Sequence, residues 1–175
     1  YATVEVSLRD EKGAEVTQGD VGELFCRSPL LFNGYWENPE ATAESLTDDG
    51  WCTVGDMGRH DDEGYLYLVD RKTDMIISGG VNVFPREIEE VLVAHPGVSE
   101  ASVIGVPDEE WGEAVKAIVV KSGEVTDADL ETYCRENLAK YKIPKTFAYL
   151  EVLPRNAGGK ILKTELRKRS RAGSL

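Results

Sequence analysis

The stretch 62-DEGYLYLVDRKTDMIISGGVNVFPREIEEVL-92 changes style in its middle. Its first part, GYLYLVD (64–70), alternates and carries tyrosine, leucine and valine, as a strand does. DDEG (61–64) joins it to GWCTVGDMGRH (50–60), which gives a hairpin signal. DRKTD (70–74) is polar throughout. MIISGG (75–80) is an apolar run ended by two glycines. FPREIEEVLVA (84–94) then reads as a helix. Pro85 suits its first turn, Ile88, Val91 and Leu92 make one apolar face, and His95-Pro96 stops it.

Outward from that point the two sides differ. Upstream, TVEVSL (3–8) and GELFCRS (22–28) are short strands, and NGYWENPEATAESL (33–46) is a punctuated loop running into a helical turn. Downstream, VSEASVIGV (98–106), AVKAIVV (114–120) and FAYLEV (147–152) are strands. TDADLETYCRENLA (126–139) is a helix whose Thr126 and Asp129 are spaced as a capping box, and KTELRKRS (163–170) is a last short helix. The expected class is α+β: a short β-rich subdomain over 1–70, then a small domain over 71–175 with a central sheet flanked by helices.

Charge divides at the same place. Residues 1–70 hold 16 acids and 4 bases, and residues 71–175 hold 16 of each, so the net charge of −12 belongs to the first part. In the second part the bases cluster. KYKIPK (140–145) has three lysines and no acid, and residues 155–171 have seven bases against Glu165 alone. Such patches are either a solvated surface or a site for a phosphorylated ligand. No apolar run is long enough for a membrane span. Three widely spaced cysteines, Cys26, Cys52 and Cys134, have no metal-ligand spacing and suit a reducing cytoplasm. The chain starts at Tyr1 without methionine and reads as a piece of something longer.

Four segments, GWCTVGDMG (50–58), 62–92, VIGVPDEEWGE (103–113) and LPRNAGGK (153–160), together resemble the C-terminal third of the adenylate-forming superfamily. The resemblance is closest to acyl-CoA synthetases of the fatty-acid or aryl-acid type. It implies an acyl-adenylate made from a carboxylic acid and ATP, then transfer of the acyl group to coenzyme A. Magnesium would arrive with ATP rather than be bound by this segment. The acyl pocket and the phosphate-gripping loop would lie upstream.

The resemblance also implies roles for single residues. Asp56 would hold the ribose hydroxyls, with Val54 in place of the usual motif threonine, and Arg71 would reach the same ribose. Thr73 stands at the hinge of a mobile second domain, where aspartate or lysine is usual. Lys160 would be the catalytic lysine of adenylation, and Gly79 and Gly80 would line a passage for pantetheine. Lys142 and Lys145 are candidates for the phosphates of coenzyme A, with Tyr141 or Trp111 packing nearby.

The chemistry agrees. A carboxylate attacking an α-phosphate is repelled by its charge, and a lysine between them neutralises that charge. An ionised aspartate offers two acceptor oxygens to a ribose diol. Gly158-Gly159 is expected to be a pliant mount that lets Lys160 enter and leave. Two other readings remain open: delivery of the acyl group to a carrier protein, and a non-enzymatic nucleotide or nucleic-acid module. The chain ends soon after Lys160 without a carrier segment, which favours a freestanding ligase. Overall acidity and the lack of a basic-aromatic recognition motif count against nucleic acid.

Overall fold

The computed structural model describes residues 3–175. The chain forms two compact units, one ending at Thr73 and one spanning Asp74–Leu175. The division falls three residues after the charge boundary because strand β4 runs on through Arg71.

The first unit is a four-stranded antiparallel meander in chain order: β1 (Glu5–Arg9), β2 (Gly22–Arg27), β3 (Cys52–His60) and β4 (Leu66–Arg71). A single helix, α1 (Pro39–Ser45), stands between β2 and β3. Asn38 caps it by accepting the Ala41 N–H, and Pro39 follows in its first turn. β3 is irregular against β2. Glu23 pairs with Met57 and Phe25 with Thr53, so Val54, Gly55 and Asp56 stand opposite Leu24 alone. This is a bulge, and Gly55 makes it possible with a φ of +76°.

The second unit is a five-stranded sheet between helices. Strands β5 (Ile76–Ser78) and β6 (Val81–Val83) form a hairpin that the sequence reading left as a glycine-ended run. Ser78 pairs with Val81, so Gly79-Gly80 is the whole turn, and both glycines have positive φ. Helix α2 (Pro85–Val93) follows. Then come the long hairpin β7 (Val98–Asp108) and β8 (Gly112–Lys121), helix α3 (Asp127–Asn137), strand β9 (Thr146–Tyr149) and helix α4 (Lys163–Arg171). β9 lies parallel to β8, and the other pairings are antiparallel. The capping box at Thr126 and Asp129 is formed in both directions.

Strand alternation sorts the core into two layers. Val103, Val115, Ala117 and Val119 pack with Ile88 and Leu92 of α2 and with Leu130 and Cys134 of α3. Ile104 and Ile118 point the other way and pack with Leu153 and with Leu166 of α4. A partly buried pair, Glu89–Lys163 at 2.8 Å, joins α2 to the start of α4, and Glu89 also accepts the Val103 N–H. No helix among the described residues is long and apolar enough to cross a membrane.

Candidate functional site

The β3 bulge builds the first group. Asp56 lies directly across from Arg71 in the β3–β4 ladder. Arg71 Nε meets Asp56 Oδ1 at 2.9 Å, and its guanidinium also donates to the Val54 carbonyl at 2.7 Å. The Asp70 side chain accepts the Arg71 backbone N–H at 2.8 Å. Two residues that the sequence links only through a family resemblance are therefore neighbours. Asp56 is a quarter exposed and uses one oxygen for Arg71; the other points to no partner among the described residues. A carboxylate held beside a guanidinium, with a lone-pair face open, fits a sugar diol.

Thr73 is the middle residue of the 3-10 turn Lys72–Asp74 that follows β4. Its neighbours are anchored by ion pairs within their own units. Lys72 pairs with Glu23 at 2.7 Å, and Asp74 pairs with Arg167 of α4 at 2.9 Å.

Gly79 and Gly80 serve different ends within one turn. A Cβ on Gly79 would stand 2.5 Å from the Trp111 ring, and the Gly79 N–H donates to the Trp111 carbonyl at 2.9 Å. So Gly79 is glycine because an indole lies on it. At Gly80 an added Cβ would meet nothing within 4 Å, so only its φ of +78° asks for glycine. Trp111 stands in the tight β7–β8 loop. Asp108 fixes that loop by accepting the N–H groups of Glu110 and Trp111, and these bonds help hold its carboxyl below the usual carboxylate range. Lys145 reaches Asp108 at 3.3 Å and lies 5.0 Å from the Trp111 ring centroid. Lys142 is paired with Glu87 of α2 and lies 5.6 Å from the Tyr141 ring. Both candidate phosphate-binding lysines thus have carboxylate partners already. Any anion they bind must compete with Glu87 and Asp108.

Lys160 sits on the loop 155–161, whose ends pair as an isolated bridge between Arg155 and Ile161. The loop is not the pliant mount expected from its glycines. Asn156 Oδ1 accepts the Gly158 N–H at 3.0 Å and the Lys160 N–H at 2.9 Å. Arg155 holds the Gly159 carbonyl at 2.7 Å and pairs with Glu100 of β7. Gly159 is needed for its φ of +82°. The glycine pair therefore shapes a fastened turn, and Lys160 extends from it exposed, its ammonium without a partner among the described residues. The Asn156 and Arg155 contacts were missed in the sequence, although N-A-G-G after a Pro-Arg pair is an Asx-turn pattern. No cluster of metal-binding side chains exists among the described residues.

Comparison with known proteins follows this geometry. Residues 87–160 match the model of the AMP-binding enzyme C-terminal domain. The chain is 49% identical over 161 residues to the 2-succinylbenzoate–CoA ligase of Bacillus cereus (strain Q1), covering 91% of this chain and 33% of the relative. It is 51% identical over 164 residues to the long-chain-fatty-acid–CoA ligase FadD13 of Mycobacterium tuberculosis, covering 93% and 32%. Among solved structures it superposes on the o-succinylbenzoate CoA synthetase (MenE) of Bacillus subtilis in complex with the acyl-adenylate intermediate. The TM-score is 0.88 at 40% identity, over 94% of this chain and 34% of that one. The same synthetase has also been solved with ATP and magnesium ion. The chain spans about a third of the length of the curated relatives it matches.

Proposed function

We propose that the chain is the C-terminal part of an ATP-dependent acid–CoA ligase, a reading supported by the match of residues 87–160 to the AMP-binding enzyme C-terminal domain. The whole enzyme would convert a fatty or aryl carboxylic acid, ATP and coenzyme A to acyl-CoA, AMP and pyrophosphate, by way of an acyl-adenylate. The observation that carries this reading is identity of about half over more than nine-tenths of the chain with two ligases of different acids, both making CoA thioesters. We place the enzyme in the cytoplasm, in fatty-acid or related acid metabolism. Its three cysteines are free thiols.

Each residue then has a task. The strand pair presents Asp56 to the ribose hydroxyls, while Arg71, 2.9 Å away, holds that carboxylate in orientation. Lys160 supplies a point charge where charge develops on the α-phosphate during attack. The Gly79-Gly80 turn, with Trp111 beside it, leaves a low backbone edge along which a thin pantetheine arm can pass. Residues 1–70 would finish the large N-terminal domain of the enzyme. The part from 71 onward would be its mobile lid, turning about Thr73 between the two half-reactions. Magnesium enters with ATP and neutralises phosphate charge; this segment contributes no ligand to it.

The test is a single-turnover assay of each half-reaction in the full-length protein. Lys160→Ala should slow adenylate formation by roughly 10²–10³, the usual loss for one preorganised charge-stabilising group. It should leave conversion of a synthetic acyl-adenylate to the CoA thioester near wild type. Gly80→Asn should do the reverse, because asparagine tolerates the positive φ but places a side chain on the proposed path. Thioester formed only on a carrier protein, or equal loss of both steps in Lys160→Ala, would refute the assignment.

A further inference from the structure

Glu23 lies on β2, away from the Asp56–Arg71 pair, yet its carboxylate reaches both segments that carry the pair. Oε1 accepts the Thr53 hydroxyl at 2.8 Å. Thr53 Oγ1 in turn accepts the Gly55 N–H at 3.0 Å, inside the bulge that carries Asp56. Oε2 takes the Lys72 ammonium at 2.7 Å, and Lys72 is the residue after Arg71. The Glu23 side chain is only 14% exposed, so its bond to Thr53 is made where water competes poorly, while its Lys72 partner is half exposed. The bulge needs such support. It interrupts the ladder between β2 and β3, and its Val54 side is half exposed.

We propose that Glu23 is the positioning residue of the nucleotide site, holding Asp56 through Thr53 and the bulge, and Arg71 through Lys72. It touches neither site side chain. The proposal rests on the reading that Asp56 and Arg71 hold the nucleotide ribose. It also explains how this chain does without a threonine at position 54. The hydroxyl that fastens the bulge comes from Thr53, one residue earlier.

An ordinary surface ion pair would contribute little to stability and nothing to ligand affinity. The two roles therefore separate by experiment. The readouts are AMP affinity by calorimetry on the full-length protein and the melting temperature of each variant. Thr53→Val and Glu23→Gln should each weaken AMP binding roughly tenfold, the weight of one hydrogen bond to a charged group. Their combination should weaken binding by less than the product of the two single effects, because both break the Glu23–Thr53 connection. Thr53→Ser keeps the hydroxyl and should restore affinity. Lys72→Met, at a half-exposed position, tests the other arm should Thr53→Val fail to fold, and it should weaken binding in the same direction. Asp56→Ala is measured in parallel. If it weakens AMP binding while folded Glu23 and Lys72 variants bind as wild type, the positioning role falls alone. If Asp56→Ala binds AMP as wild type, the nucleotide reading falls and this inference with it.

Discussion

Of 22 buried apolar residues among those described, 18 lie in Asp74–Leu175 and 4 in the unit that ends at Thr73. The exposed large apolar residues run the other way, 11 in the first unit and 6 in the second. Strand β4 alone leaves Tyr67 and Leu68 about half exposed, at the edge of its sheet. In the first unit, Leu8, Trp51, Cys52 and Met57 are a thin core, and Arg9 and Arg27 each lie 4.6 Å from the Trp51 ring centroid. In the second, a sheet is covered on both faces by helices. A sheet that buries few apolar residues gains little stability in water, whereas a helix-covered one is an ordinary domain core. The comparison teaches that stability and the proposed ribose contacts are housed separately. Asp56 and Arg71 stand on the poorly covered sheet, and Lys160 on the self-sufficient unit.

The largest expected effect comes from cutting the chain between Thr73 and Asp74. Residues 74–175 alone should unfold in one cooperative thermal transition, followed by circular dichroism. Residues 1–73 alone should show none. A cooperative transition in the shorter piece would break the comparison outright.

Single residues should follow the same division. Leu92 is fully buried in α2, and Leu92→Ala in the 175-residue chain should cost about 2–5 kcal/mol in urea unfolding. Leu68 is about half exposed, and Leu68→Ala should stay within about 0.5 kcal/mol there. A larger cost for Leu68→Ala in the full-length protein than in this chain would sharpen the comparison. It would show that the face of β4 is covered by the rest of the polypeptide.

Much of this was legible in the residues. The apolar face of α2 with Pro85 at its start, the capping box of α3 and the alternation of β7 and β8 follow from local rules, and the structure has them. The Gly79-Gly80 hairpin was not seen because three-residue strands are too short to show a period. The pairing of Asp56 with Arg71 was also out of reach, since ladder register depends on the bulge and on a partner strand. The glycines before Lys160 misled for a different reason. Glycine signals conformational freedom in the unfolded chain, but Asn156 and Arg155 remove that freedom in the folded one. Lys142 and Lys145 were visible as charge, yet their carboxylate partners lie 55 and 37 residues away in sequence.

The last expected effect concerns the cysteines, which sample both units. Cys134 is fully buried in α3, and burial, with a lesser push from Glu131, raises its thiol to about 11 from an ordinary 9.0. Cys26 of β2 is half-buried and is raised by burial as well. For a thiol the raised value means that the folded state keeps its proton longer than the unfolded chain does. The contribution is therefore fully present below pH 9 and is lost as pH rises from 9 towards 11. Over that window Cys134 should remove about 2–3 kcal/mol from the stability of the second unit. Cys134→Val has no proton to lose, so the difference between wild type and variant should narrow or reverse across the same window in urea unfolding at fixed temperature. At pH 8 an alkylating reagent should label Cys26 of the native chain well before Cys134. Labelling of Cys134 at the rate of Cys26 would mean that the second unit opens as readily as the first, and the contrast between them would fail.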